Sequence, residues 1–133
     1  GRRAHMYRKI GEEFIADDFA HEQSVVFETG KGLVIFNSCS HGGIVNIVRE
    51  VQMALGGQKV YAVVGGFHMM KLSGMDTLAI PEEEVVETAQ ELKGLGVEEI
   101  YTGHCTGNIA FRILKKELGE MVHALGTGET VVF

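Results

Sequence analysis

The sequence predicts an α/β fold, a mixed β-sheet with helices covering one face. Three observations carry this. Strand-like and helix-periodic segments alternate in the order ββαβαβαβ along the 133 residues. The run Val60-Tyr-Ala-Val-Val64 is apolar throughout and follows directly on a helical stretch, as an interior parallel strand does. Segment ends coincide with glycine, of which there are 18 against a single proline, Pro81.

Each element has a local reason. Ser24–Glu28 and Leu33–Phe36 are β-rich and joined by Thr29-Gly30-Lys31-Gly32, a short glycine-containing link that reads as a hairpin. Ile44, Ile47, Val48, Val51 and Leu55 then recur at helical spacing, and Gly56-Gly57 ends the helix. The strand at 60–64 follows, so strands 33–37 and 60–64 are expected to be parallel, with a right-handed crossover. Met69 to Ile80 reads as a loop with some local structure. Pro81 suits the first turn of a helix, and Glu82, Glu83 and Glu84 suit its positive end. Val85, Val86, Ala89 and Leu92 form its buried stripe. A short strand at 98–102 and a helix at about 107–118 follow, the helix closed by Gly119 and with Thr106 as its expected cap. The tail from Met121 is expected to hold one or two short strands.

Apolar residues make up 45% of the chain and charged residues 23%, which fits a folded core and excludes a low-complexity chain. The formal charge of −6 lacks the broad basic footprint of a sequence-independent nucleic-acid binder. No apolar run is long enough to cross a bilayer, and Gly1–Met6 does not read as a signal peptide. Cys39 and Cys105 are too few for a disulfide framework and read as reduced thiols, so a cytoplasmic location is expected. Residues 1–6 read as a tag or disordered start, and 7–133 as one domain. Strand 60–64 is apolar on both faces, yet three helices cover about one face of such a sheet. The other face calls for a partner.

The histidines fall in a pattern. His41, His68 and His104 each follow a strand, and parallel strands place their carboxyl ends along one edge, where open α/β sheets bind ligands. Centring the hairpin on Gly30–Lys31 puts His21 opposite residue 40, at the same edge. Four imidazoles and the thiols of Cys39 and Cys105 thus converge on one rim. Taken singly, each histidine reads as a turn residue and each cysteine as a small buried side chain. Together, and set among Ser40-His41-Gly42-Gly43, Gly65-Gly66-Phe67-His68 and Gly103-His104-Cys105-Thr106-Gly107, they suit a metal or anion site. Imidazole-rich ligation favours zinc, iron or manganese over calcium or magnesium. The helices starting near Gly42 and Gly107 would point their N-termini at this rim, which favours a small anionic substrate. The glutamates at 82–84, with Glu87 and Glu91, read as a solvated helix face, and His123 as structural.

Three motifs in order, HEQSVVFETGKGLVIFNSCSHGGIVNIV at 21–48, KVYAVVGGFHMM at 59–70 and YTGHCTGNIAF at 101–111, resemble the C-terminal half of metallo-β-lactamase-fold hydrolases. The branch most similar is that of the metal-dependent hydrolases that includes a dihydropterin–ribofuranosylaminobenzene phosphate synthase of methanopterin biosynthesis. The resemblance covers about residues 16–133.

The resemblance implies half of an αββα sandwich, with a dinuclear metal site along one edge of the sheets. It implies His21, Cys39, His41 and His104 as metal ligands, with Cys39 or His41 standing where the wider superfamily has a bridging aspartate. His68 would face substrate, as a transition-state hydrogen-bond donor or a general acid. The implied cofactor is a divalent metal, zinc before manganese or iron. The implied chemistry is hydrolysis by a metal-bound hydroxide, phosphodiesterase-like or related. The superfamily's HxHxDH motif is absent from this sequence. The expectation is therefore the C-terminal portion of a hydrolase, inactive alone, that works with a separate half carrying HxHxDH. The alternative is a non-catalytic assembly module that keeps the fold and self-associates or binds a partner.

Overall fold

The computed structural model describes residues 5–133, so most of the expected tag or disordered start at 1–6 lies outside the described residues. Its main body is a five-stranded sheet. Strand β1 (Tyr7–Ile10) and strand β2 (Glu13–Ala16) form a separate antiparallel hairpin. The sheet contains β3 (Ser24–Thr29), β4 (Gly32–Asn37), β5 (Val60–Gly65), β6 (Glu99–Thr102) and β7 (Val122–Ala124), in spatial order β3-β4-β5-β6-β7. Only the β3/β4 pair is antiparallel; the remaining pairs are parallel. The helices are α1 (Ile44–Ala54), α2 (Glu82–Gly94) and α3 (Asn108–Leu118), with single 3-10 turns at His104–Thr106 and Gly119–Met121.

The hairpin register follows from its turn. Thr29 pairs with Gly32 across Gly30–Lys31, and the ladder runs to Ser24 opposite Asn37. A two-residue link leaves no slack for slippage, so this turn decides which face every β3 and β4 side chain takes. Leu33 and Ile35 turn to the helices; Val34 and Phe36 turn away.

The core lies between the sheet and the three helices. Leu33, Ile35, Val60, Val63, Ile100 and Val122 meet Val45 and Val48 of α1, Val85, Ala89 and Leu92 of α2, and Ala110 and Leu114 of α3. The opposite face holds only a small buried cluster, Val34, Ala62 and Val64. Phe36, Tyr61, Tyr101, Leu125 and Phe133 partly cover it, while Val25 and Phe27 are each 56% exposed. One face is thus packed by helices. On the other, Ala62 and Val64 of β5 are buried under the chain's own aromatic and tail residues, and the exposed part lies on β3 at Val25 and Phe27.

The tail forms one strand, β7, within the one or two expected, and has none after Ala124; there Phe133 lies edge-on to both Phe36 and Tyr101. The β1/β2 hairpin is a feature the sequence did not announce, because every one of its strand residues is exposed and no buried stripe marks it. Among the described residues no helix is long and apolar enough to cross a membrane.

Candidate metal and substrate rim

The carboxyl ends of β4, β5 and β6 meet along one edge, and the loops leaving them are held in strained turns. Four non-glycine residues among those described have positive φ: Phe19, Ser40, His68 and His104, at 57°, 49°, 51° and 50°. All four belong to the rim. Left-handed backbone at a non-glycine residue costs on the order of 1–3 kcal/mol and persists only where surrounding contacts enforce it.

Those contacts are visible. Asn37, at the end of β4, accepts the Ser40 N–H at 2.7 Å and the Ser40 hydroxyl at 3.0 Å, while its amide donates to Ser24 Oγ. The Gly66 N–H donates to the Ser38 carbonyl, and a Cβ at Gly66 would stand 2.5 Å from Cys105 Sγ, so only glycine lets these loops close together. Thr106 does not cap α3. Its hydroxyl instead accepts the Phe67 N–H at 2.9 Å and meets the Thr102 hydroxyl at 2.6 Å, joining the loops after β5 and β6. The buried position favours this role, since an unpartnered Phe67 N–H would cost more than an open helix end near solvent.

The predicted residues gather into two groups and one outlier. Cys39, His104 and Cys105 form the first, with their ligand atoms all within 4.8 Å of one another. Cys105 is buried, Cys39 half-buried and His104 exposed. In the second, the rings of His41 and His68 stand edge to face with centroids 4.5 Å apart. The two groups are linked through Cys105, whose Sγ accepts the His68 N–H at 3.3 Å. His21 stands apart from both, with Nδ1 3.7 Å from Asp17 and its ring 6.4 Å from Phe19.

Glu22 is a residue the motifs did not single out. Its carboxylate accepts the backbone N–H groups of His41 at 2.7 Å and Gly42 at 2.9 Å, and Oε1 lies 3.8 Å from His41 Nδ1. It therefore fills the anion position just before α1 where the sequence predicts a substrate group. Its place beside His21 was the available signal: a carboxylate next to a candidate ligand suits a residue that orients another.

His41 and His68 line a cleft of about 760 Å³ that also takes in Ser40, Phe67 and Met69. Its far wall is α2, through Glu84, Glu87, Thr88 and Glu91. The glutamate face of α2 is thus only partly solvated, and Glu84 and Glu91 are half-buried. Burial lowers the pKa of His68, and the neighbouring His41 lowers it further while Glu22 opposes them. Burial also pushes the Cys105 thiol up to about 12, with the approach of Cys39 adding to it.

The first group suits a metal by its donors. Ligand atoms on a tetrahedral ion with bonds of about 2.0–2.3 Å stand roughly 3.5 Å apart, a spacing that small side-chain rotations reach from here. Two sulfurs and an imidazole are the donors that zinc-like ions prefer.

No family model matches the chain. Over 128 residues the chain is 36% identical to the 7,8-dihydropterin-6-methyl-4-(β-D-ribofuranosyl)-aminobenzene-5′-phosphate synthase of Methanocaldococcus jannaschii, a match that covers 96% of this chain and 41% of that protein. The crystal structure of a metal-dependent hydrolase of the β-lactamase superfamily superposes with a TM-score of 0.81 and 30% identity, covering 96% of this chain and 46% of that one. Both relatives bear out the resemblance carried by the three motifs. The chain has the fold of the β-lactamase-superfamily metal-dependent hydrolases, and it spans less than half the length of each of these two relatives.

Proposed function

We propose that this chain is the C-terminal portion of a metal-dependent hydrolase that becomes active when joined by a half carrying HxHxDH. The observation that carries this reading is the rim itself. Three consecutive strand ends deliver Cys39, His68 and the His104–Cys105 pair to one place, in backbone turns held against their own strain. The coverage of under half of each relative and the open sheet face, with Val25 and Phe27 exposed, support an incomplete unit.

Cys39 and His104 would hold a divalent metal, zinc before iron or manganese, with His41 and His21 as the further ligands toward the second half. When bound, the metal supplies a Lewis acid that activates water near neutral pH and steadies developing negative charge. The remaining work belongs to this chain's side chains. Glu22 holds the His41 loop in place through two backbone N–H groups. His68 faces the cleft, and the lowered pKa keeps its imidazole neutral, which suits a hydrogen-bond donor to the reacting group better than a standing cation.

The substrate we infer is a small anion, a phosphodiester or related ester, in keeping with the 5′-phosphate in the methanogen relative's name. Its anionic end would lie at the cysteine–histidine rim. Its uncharged part would face α2, where the Glu87 carboxylate lines the cleft and disfavours an anion. The free thiols of Cys39 and Cys105 support a cytoplasmic location.

The open face equally favours a second reading, a non-catalytic module that covers Val25 and Phe27 with another copy of itself. Metal content and hydrolysis of bis(p-nitrophenyl) phosphate, measured on the chain alone and mixed with an HxHxDH-bearing partner, separate the two. Stoichiometric metal with hydrolysis only in the mixture supports the split hydrolase. A tight homodimer that takes up no metal under any condition overturns it.

A further inference from the structure

We propose that Cys39, His104 and Cys105 form a two-thiolate, one-imidazole site for a thiophilic divalent ion, which this chain holds without a second half. The inference rests on the reading of Cys39 and His104 as ligands and adds Cys105, a residue that neither the motif resemblance nor the hydrolytic scheme employs.

Three features place Cys105 in the site. Its sulfur lies within 4.8 Å of both the Cys39 sulfur and a His104 ring nitrogen. His104 takes φ 50°, a left-handed turn that lets two sequence neighbours bring their donor atoms together rather than to opposite sides of an extended chain. Gly66 leaves the space the sulfur occupies, since a Cβ there would stand 2.5 Å from it.

The sulfur also has outer partners of the kind that orient a ligand. It accepts the His68 N–H at 3.3 Å and lies 3.7 Å from the Cys39 carbonyl oxygen. A backbone N–H donated to a metal-bound sulfur stabilises the thiolate. Once deprotonated, Cys105 has no proton for the Cys39 carbonyl and turns its lone pairs to the ion. The exposed side of the group, at His104, leaves an open position for water or substrate. Two thiolates select zinc, cobalt or ferrous iron and select against magnesium, calcium and manganese, narrowing the choice that imidazole ligands alone leave.

The test is a Co²⁺ titration of the 133-residue chain, followed by the sulfur-to-cobalt charge-transfer band in the near ultraviolet, whose intensity grows with the number of thiolate ligands. The expected result is a band that Cys105→Ser and Cys39→Ser each cut to about half, that the double variant abolishes, and that Zn²⁺ removes while excess Mg²⁺ does not. A wild-type band that Cys105→Ser leaves unchanged overturns the proposal, as does a folded wild-type chain with no band. If Cys105→Ser loses its far-ultraviolet circular dichroism, X-ray absorption of the zinc-loaded wild-type chain decides. Two sulfur neighbours at about 2.3 Å support the site, and one or none overturns it. Hydrolysis by the mixture with an HxHxDH-bearing partner is scored separately. A two-thiolate spectrum without any hydrolysis overturns the hydrolase reading and supports this site; hydrolysis with an unaltered Cys105→Ser spectrum does the reverse.

Discussion

The carboxylate of Glu22 accepts the backbone N–H of His41 at 2.7 Å, and its other oxygen accepts that of Gly42 at 2.9 Å. One side chain from the segment before β3 thereby fixes the loop after β4. It also places a negative charge at the start of α1, whose cap residue Gly43 offers no side-chain hydrogen bond.

Glu22→Ala is therefore expected to lower stability by about 1–3 kcal/mol, because two part-buried N–H groups lose their acceptor. Glu22→Gln keeps one amide oxygen and is expected to lose less. Urea denaturation of the two variants at one pH checks the order. Equal stability of wild type and Glu22→Ala would show that water replaces the carboxylate without cost and that Glu22 does not position His41.

The same kind of bond joins the next two loops. Thr106 and Thr102 are both fully buried, their hydroxyls 2.6 Å apart, and Thr106 accepts the Phe67 N–H. Thr106→Val is nearly isosteric but cannot accept, so it is expected to cost about 1–3 kcal/mol, with Thr106→Ser closer to wild type. Amide exchange gives a local readout: the Phe67 N–H should lose protection in Thr106→Val and keep it in Thr106→Ser. Retained protection in the valine variant would contradict the assignment.

Much of this fold was legible because its strongest signals are repeated. Gly30–Lys31 specifies the β3/β4 register, the unbroken apolar run at 60–64 marks an interior strand, and of the predicted stripe Val85, Ala89 and Leu92 are buried while Val86 is only half-buried. The rim was legible in outline, since a strand end is a position that periodicity locates. The partners within it were not. Threonine before a helix commonly caps, and nothing in the sequence says that Phe67 N–H competes for Thr106. His104 and Cys105 are neighbours, and only the left-handed turn at His104 tells that their donors share one site. The β1/β2 hairpin escaped for a different reason: it is paired through its own backbone and buries no stripe that a pattern could reveal.

The open sheet face makes a prediction about assembly. Phe27 is 56% exposed and touches Phe36 edge-on at 5.7 Å between centroids. Phe27→Lys is expected to leave unfolding free energy within about 0.5 kcal/mol of wild type, as for most surface substitutions. In sedimentation or light scattering it should abolish association, whether with an HxHxDH-bearing half or with a second copy, because a lysine buried in an apolar interface has no partner. Association of undiminished strength would show that the contact surface lies elsewhere, with the β1/β2 hairpin and its exposed Tyr7 and Phe14 as the next candidate.

His68 gives the pH dependence of the metal-free chain. Burial depresses its pKa, the adjacent His41 depresses it further, and Glu22 pulls the other way. An unfolded histidine titrates near about 6.5, so below that pH the unfolded chain takes up a proton that folded His68 still refuses. The contribution of His68 is thus fully present above about 6.5 and declines as the pH falls through the depressed folded value. With chelator present, unfolding midpoints should drop between neutral and mildly acidic pH, and His68→Gln should flatten that slope. His41→Ala removes the neighbour that depresses the His68 pKa and should raise its titration midpoint, whereas Glu22→Gln should lower it, both read from the imidazole proton shifts in NMR. A His68 that titrates at or above the ordinary histidine value in the wild-type chain would mean that its ring is solvated rather than held in the cleft. Its assignment as a neutral donor to substrate would then fall.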